Sequence, residues 1–175
     1  MKFLPTKFAG AWTIALTELP DDRGFFARTF CADALRARGL ECNFPQHSMS
    51  YSGRRGTLRG LHFQRTPHAE VKIVRCLQGS VWDVLVDLRP ESPTLCQWQA
   101  FELSAANRHQ LYVPKGFAHG FQALTGDVEM SYLISENYVP AAAAGVRFDD
   151  PAFGITWPLP ITAMSEKDRS WPDFG

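Results

Sequence analysis

Short apolar runs rich in β-branched and aromatic residues recur between polar, turn-forming stretches along much of this chain, the pattern of strands rather than helices. Val71 to Leu77, Val81 to Leu88, Cys96 to Leu103, Gln110 to Val113, Phe117 to Leu124 and Val128 to Ser135 all carry it, punctuated by Gly, Pro, Asn and Asp. Within Val81 to Leu88, the residues Trp82, Val84, Val86 and Leu88 share one face, and Val81, Asp83, Leu85 and Asp87 share the other. Gln78-Gly79-Ser80 predicts a hairpin turn joining that strand to the one before it. Helical pattern is scarce. Cys31 to Leu40 predicts a short helix stopped by Gly39, and Ser104 to His109 a single capped turn. Trp157 and Trp171 predict that the Pro-containing tail packs against the body. No repeat, low-complexity tract or linker interrupts the pattern. The expectation is therefore one all-β domain over residues 1–175, an antiparallel sandwich or barrel of which a jelly roll is one solution, with one or two short peripheral helices.

Composition narrows the function classes. The chain has 175 residues, enough for one sizeable core, with 18 basic and 18 acidic residues and no formal net charge. That balance argues against nucleic acid or a membrane surface as partner, since either would call for a basic footprint. No apolar run approaches the roughly 18 residues of a membrane span, and Pro5 breaks the N-terminus before a signal-peptide apolar region can form. Cytoplasmic residence is the expectation. Cys31, Cys42, Cys76 and Cys96 are widely spaced and form no C-x-x-C pair, so they read as free packing thiols.

The candidate chemistry concentrates in Gly56-Thr57-Leu58-Arg59-Gly60-Leu61-His62-Phe63-Gln64 and in Lys72 just downstream. A base and two cations sit there among apolar strand residues, where charge is otherwise costly. A neutral imidazole can take a proton and a nearby ammonium can hold the negative charge that results, which suits proton abstraction next to a carbonyl. To act as a base, His62 needs a carboxylate on its second nitrogen; Asp83, Asp87, Asp149, Asp150 and Asp168 are all candidates by sequence. Taken alone, Tyr132 reads as a core aromatic, His119 as a hydrogen-bonded core histidine, and Ser165-Glu166-Lys167-Asp168 as a solvated charge run. Metal binding has little support, because His62 is followed by Phe63 and Gln64 rather than by a second histidine two residues on, and His68 and Glu70 fall in a turn after Pro67. There is no Gly-rich phosphate loop and no Gly-x-Ser-x-Gly elbow.

Taken together, GTLRGLHFQ, KIVRCLQGSVWDVLVDLRPESPT, ELSAANRHQLYVPKGFAHGF, YLISENYVP, GVRFDDPAFGITWP and SEKD resemble, in order, the dTDP-4-dehydrorhamnose 3,5-epimerase family. The resemblance runs from Asp22-Arg23-Gly24-Phe25-Phe26 to Asp168. It implies a cupin-type jelly roll that works as a homodimer on a nucleotide–sugar and needs no metal or organic cofactor. By position, it makes His62 the proton acceptor with Asp168 as its acid, Lys72 the group beside the C4 oxygen, and Tyr132 the proton donor on the opposite face of the sugar. Arg59 and His119 would contact the nucleotide–sugar, Gln46 and Lys167 the nucleotide, and Tyr138 the base by stacking. Arg23 and Phe26 would be lent by the partner subunit. Three positions depart from the family pattern: Arg28 and Ala143 stand where it has glutamates, and Ser48 where it has an asparagine. The nucleotide, the sugar and the number of centres inverted are thereby left open. Two other classes stay in view, a non-catalytic nucleotide-sugar-binding cupin and a metal-dependent cupin oxygenase or isomerase. Strict alternation also puts Arg59 and His62 on opposite faces of their strand, so if both face one cavity an irregularity is expected at Gly60.

Overall fold

The computed structural model describes residues 1–174. In chain order the strands begin with β1 (Lys2–Pro5), β2 (Trp12–Ala15), β3 (Glu18–Asp21) and β4 (Gly24–Ala27). A five-residue helix, α1 (Ala32–Arg36), follows, then β5 (Gln46–Ser52), β6 (Leu58–Gln64), β7 (Lys72–Gln78) and β8 (Ser80–Asp87). The remainder comprises β9 (Trp98–Ser104), β10 (Gln110–Val113), β11 (Phe117–Ala123), β12 (Val128–Ile134), β13 (Ala143–Gly145) and the short helix α2 (Glu166–Arg169).

These strands form two antiparallel sheets, ordered β1-β2-β10-β7-β12-β5 and β13-β6-β11-β8-β9, with β3 and β4 as a separate hairpin. Consecutive strands repeatedly change sheet, which is the jelly-roll solution to burying the inward faces of two sheets against each other. Both faces of β8 are largely buried, and each carries apolar residues. Val81 and Leu85 join the inter-sheet core with Val74, Leu111, Phe121 and Met130, whereas Val84 and Val86 pack outward beneath Val146, Phe153 and Trp157 of the C-terminal segment. The outer face of the other sheet is covered by Leu35 of α1 and by Phe44, packed on Ile14, Ile73 and Tyr112. Gly39, at φ +66°, ends the helical turn as expected. Ser104 and Asn107 cap each other's backbone N–H in the predicted turn.

One expectation fails. Gln78-Gly79-Ser80 is not a hairpin turn, because β7 pairs with β10 and β12 while β8 pairs with β11 and β9. The chain turns a corner between sheets there. Only Gly79 separates the two strands, too few residues for a two-residue hairpin loop. Its φ of +75° and the close approach of Thr125, whose hydroxyl would lie 2.5 Å from a Cβ, leave room for glycine alone.

The irregularity expected at Gly60 is present. Pairing of β6 with β11 runs from His62↔His119 to Arg59↔Phe121, so that Gly60 and Leu61 on one strand oppose Gly120 alone on the other. Gly60 has φ +113°, and a Cβ there would lie 2.6 Å from the Gly120 Cα. Both Arg59 and His62 consequently line the same cavity. Gly60→Ala should destabilise the fold by about 2 kcal/mol or more, through backbone collision in a packed sheet. Chemical denaturation checks this, and an unchanged midpoint would contradict the account.

Candidate active site

A cavity of about 680 Å³ opens between the two sheets, within the usual range for small-ligand sites. One wall is the inward face of the β5–β12–β7 sheet. Gln46 pairs with Ile134 and Ser48 with Tyr132, while Ile134 in turn pairs with Lys72, so these side chains share one face by register. The facing wall comes from β6 and β11, where His62 and His119 are direct cross-strand partners. The C-terminal segment closes one side with Lys167, Asp168 and Trp171.

Of the five acids open by sequence, Asp168 is the one at His62: its Oδ1 lies 2.6 Å from Nε2. The tail reaches this point because Ser165 caps α2, its hydroxyl accepting from the Asp168 N–H at 3.1 Å. Asp168 also accepts from the Gly60 N–H at 3.1 Å. Burial alone would raise its carboxyl, but the hydrogen bonds from His62, Gly60 and Ser165 outweigh that and hold it below the usual range. An ionised Asp168 on Nε2 fixes the tautomer with its proton there, so Nδ1 is the nitrogen able to take another.

Lys72 is buried on the opposite sheet, its Nζ paired with Glu70 Oε1 at 2.8 Å and donating to the His62 carbonyl at 3.4 Å. Tyr132 shares a 2.9 Å hydrogen bond with Ser50. Burial pushes its phenol up to about 12 against the opposing effect of Ser50, so the hydroxyl keeps its proton at neutral pH. His119 Nε2 sits 3.0 Å from both oxygens of the fully buried Asp83. Burial drives that carboxyl upward while His119 opposes it. Arg59 donates to Ser52 Oγ at 3.0 Å and to the Tyr51 carbonyl at 2.6 Å. The Gln46 amide oxygen accepts from the Tyr138 N–H at 3.0 Å, tying β5 to the cavity rim.

His62, Tyr132, Asp168, Lys72, Gln46, Arg59, His119, Tyr138 and Lys167 thus all line this one cavity. Arg23 and Phe26 do not. They sit on the exposed β3–β4 hairpin, where Arg23 pairs with Asp21 at 2.6 Å and Phe26 is 65% exposed. Of the departing positions, Ser48 and Ala143 line the cavity, while Arg28 borders a smaller one beside α1. Sequence reasoning missed Ser50 and Trp171, and it placed Glu70 only in a turn. The alternation of Gln46, Ser48 and Ser50 was the signal for β5, a polar face turned to a cavity rather than a core. Among the described residues, no three His, Cys, Asp or Glu side chains converge as a metal cage would require.

A jelly roll whose interior holds a carboxylate-backed imidazole on one wall, with a protonated phenol and an ammonium on the other, defines a cupin-type acid–base enzyme. The model of the dTDP-4-dehydrorhamnose 3,5-epimerase family matches residues 5–175, and the chain belongs to that family. It is 42% identical over 173 residues to the dTDP-4-dehydrorhamnose 3,5-epimerase of Methanothermobacter thermautotrophicus, covering 97% of this chain and 92% of the relative. The structure superposes on the Bacillus anthracis str. Ames enzyme of that name, solved with TDP and PPi bound, with a TM-score of 0.94, 42% identity and 99% of each chain covered. A dTDP-6-deoxy-D-glucose-3,5-epimerase from Legionella pneumophila, in complex with dTDP-4-keto-L-rhamnose, matches with a TM-score of 0.89 and 36% identity over 95% of this chain and 89% of that one.

Proposed function

We propose that this protein epimerises a nucleoside-diphosphate 4-keto-6-deoxyhexose, with dTDP-4-dehydro-6-deoxyglucose as substrate, inverting C3 and C5 to give dTDP-4-dehydro-L-rhamnose. The observation that carries the reading is the His62–Asp168 pair facing Tyr132 and Lys72 across one cavity. Protons at C3 and C5 are acidic because loss of either gives an enolate delocalised onto the C4 oxygen. His62 Nδ1 takes the proton, and Asp168 stabilises the imidazolium that forms. Lys72 offsets the charge on the C4 oxygen, more strongly in a buried setting than in water. Tyr132 returns a proton from the opposite wall, and the two-sided geometry makes the outcome an inversion.

Arg59 and His119 contact the nucleotide–sugar, the former suited to phosphate oxygens by its planar donor fork. Gln46 and Lys167 contact the nucleotide, and Tyr138, 58% exposed at the rim, stacks on the base. The protein works as a homodimer in which Arg23 and Phe26 reach the partner's site. The apolar exposure of Leu19, Phe25 and Phe26 on the hairpin supports that contact. Cytoplasmic residence agrees with the four free cysteines, and no helix among the described residues is long and apolar enough to cross a membrane.

Incubation with dTDP-4-keto-6-deoxyglucose in D₂O tests the reading. NMR should show deuterium at both C3 and C5 in a product of L-rhamno configuration. Label at one centre alone would make this a single-centre epimerase. Binding without label at either would make it a nucleotide–sugar-binding protein.

A further inference from the structure

The Glu70–Lys72 pair is left unexplained by that mechanism. Glu70 stands in the loop entering β7, and the next residue is fixed by two hydrogen bonds to Ser135, from the Val71 N–H to Ser135 Oγ at 2.8 Å and from the Ser135 N–H to the Val71 carbonyl at 3.0 Å. The carboxylate is therefore presented from a rigid backbone. Its side chain and that of Lys72 are only 10% and 11% exposed, and both line the cavity.

We propose that Glu70 is a positioning residue that holds the Lys72 ammonium in place for the enolate oxygen. The inference rests on the epimerase reading above. A β-strand fixes the Cα of Lys72 but not the end of its four-carbon stem, and a charge that stabilises an oxyanion works best when it is already in place. Glu70 holds the ammonium from one side at 2.8 Å, and the His62 carbonyl from another at 3.4 Å. With two partners for three donors, the ammonium keeps one donor for the substrate. A second consequence concerns the substrate's diphosphate, which would compete for a loose ammonium in the same cavity. The anchor keeps Lys72 at the reacting end of the sugar. A carboxylate this close also dampens the cation's field, so the two effects oppose each other. Positioning is the larger here, because an unanchored buried ammonium loses its ion-pair partner at 2.8 Å together with its geometry.

Kinetics of the full chain with Glu70→Gln, Lys72→Met and the double variant separate these effects. Glu70→Gln should lower kcat about tenfold, leave KM within about threefold, and slow deuterium wash-in at C3 and C5 in parallel. In the Lys72→Met background the same change should alter kcat by less than about twofold, since a residue acting through Lys72 has nothing left to act on. An unchanged or raised kcat in Glu70→Gln would overturn the proposal, as would an equal tenfold loss in both backgrounds. A readout without turnover keeps this separate from the epimerase reading. In ¹³C-labelled protein the two Hε of Lys72 should be inequivalent while anchored and merge in Glu70→Gln; merged signals in the unmodified protein would end the proposal whatever its activity.

Discussion

Replacing His62 by alanine should lower kcat/KM by about 10³-fold or more, a loss of roughly 4 kcal/mol of transition-state stabilisation. The substitution removes the group that accepts the carbon-bound proton, and it also leaves Asp168 as a buried carboxylate deprived of its partner at 2.6 Å. Deuterium wash-in at C3 and C5 should fall as steeply as product formation, because abstraction precedes both. Substrate affinity should change little, since the ring is not tied to the phosphate-binding side chains. His62 is 43% exposed at its side chain and borders an open cavity, so the variant should fold. Exchange at undiminished rate in His62→Ala would remove the imidazole from the mechanism.

Tyr132→Phe should separate abstraction from inversion. The phenol lies on the wall opposite His62, and with its pKa raised to about 12 it stays a proton donor across the working pH range. Without the hydroxyl, His62 can still remove a proton, exchange it with solvent, and return it to the face it came from. Product formation should therefore fall by about 10²-fold or more, while recovered substrate gains deuterium without changing configuration. Full-rate inversion in Tyr132→Phe would mean that water or another group supplies the second proton. Loss of wash-in to the same extent as product would mean that the phenol takes part in abstraction itself.

The legible part of this protein was local. The strand Val128–Ile134 announces itself by alternation, because Val128 and Met130 are buried in the inter-sheet core while Glu129 and Ser131 are only half-buried. Val81 to Leu88 was legible for the opposite reason, having apolar residues on both faces and neighbours on both sides. By contrast, β5 carries the polar face Gln46, Ser48 and Ser50, which no hydrophobic count detects. Its inward side meets a cavity and its outward side, with Met49 64% exposed, meets solvent. The short strands β1 to β3 bury too little, and β13 has too few residues, for a period to show. Motif order pointed to His62, Lys72, Tyr132 and Asp168, yet residue chemistry alone left five acids as possible partners for the imidazole and read the Ser165–Asp168 run as solvated. Asp168 is instead 4% exposed.

By itself, then, the chain's order of residues determined the strand-rich class, the family and the types of group available for proton transfer. Periodicity and motif are properties of neighbours along the backbone, and they survive without knowledge of what packs where. Only the tertiary structure decided that the chain changes sheets at Gly79, that Arg59 and His62 on either side of the irregular Gly60 share one cavity, and that Asp168 and Glu70 serve different partners. Those outcomes depend on pairings between residues far apart in sequence, as in His62 with Asp168, 106 positions on. Such pairings are selected by the combined burial of two whole sheets, which no local window contains.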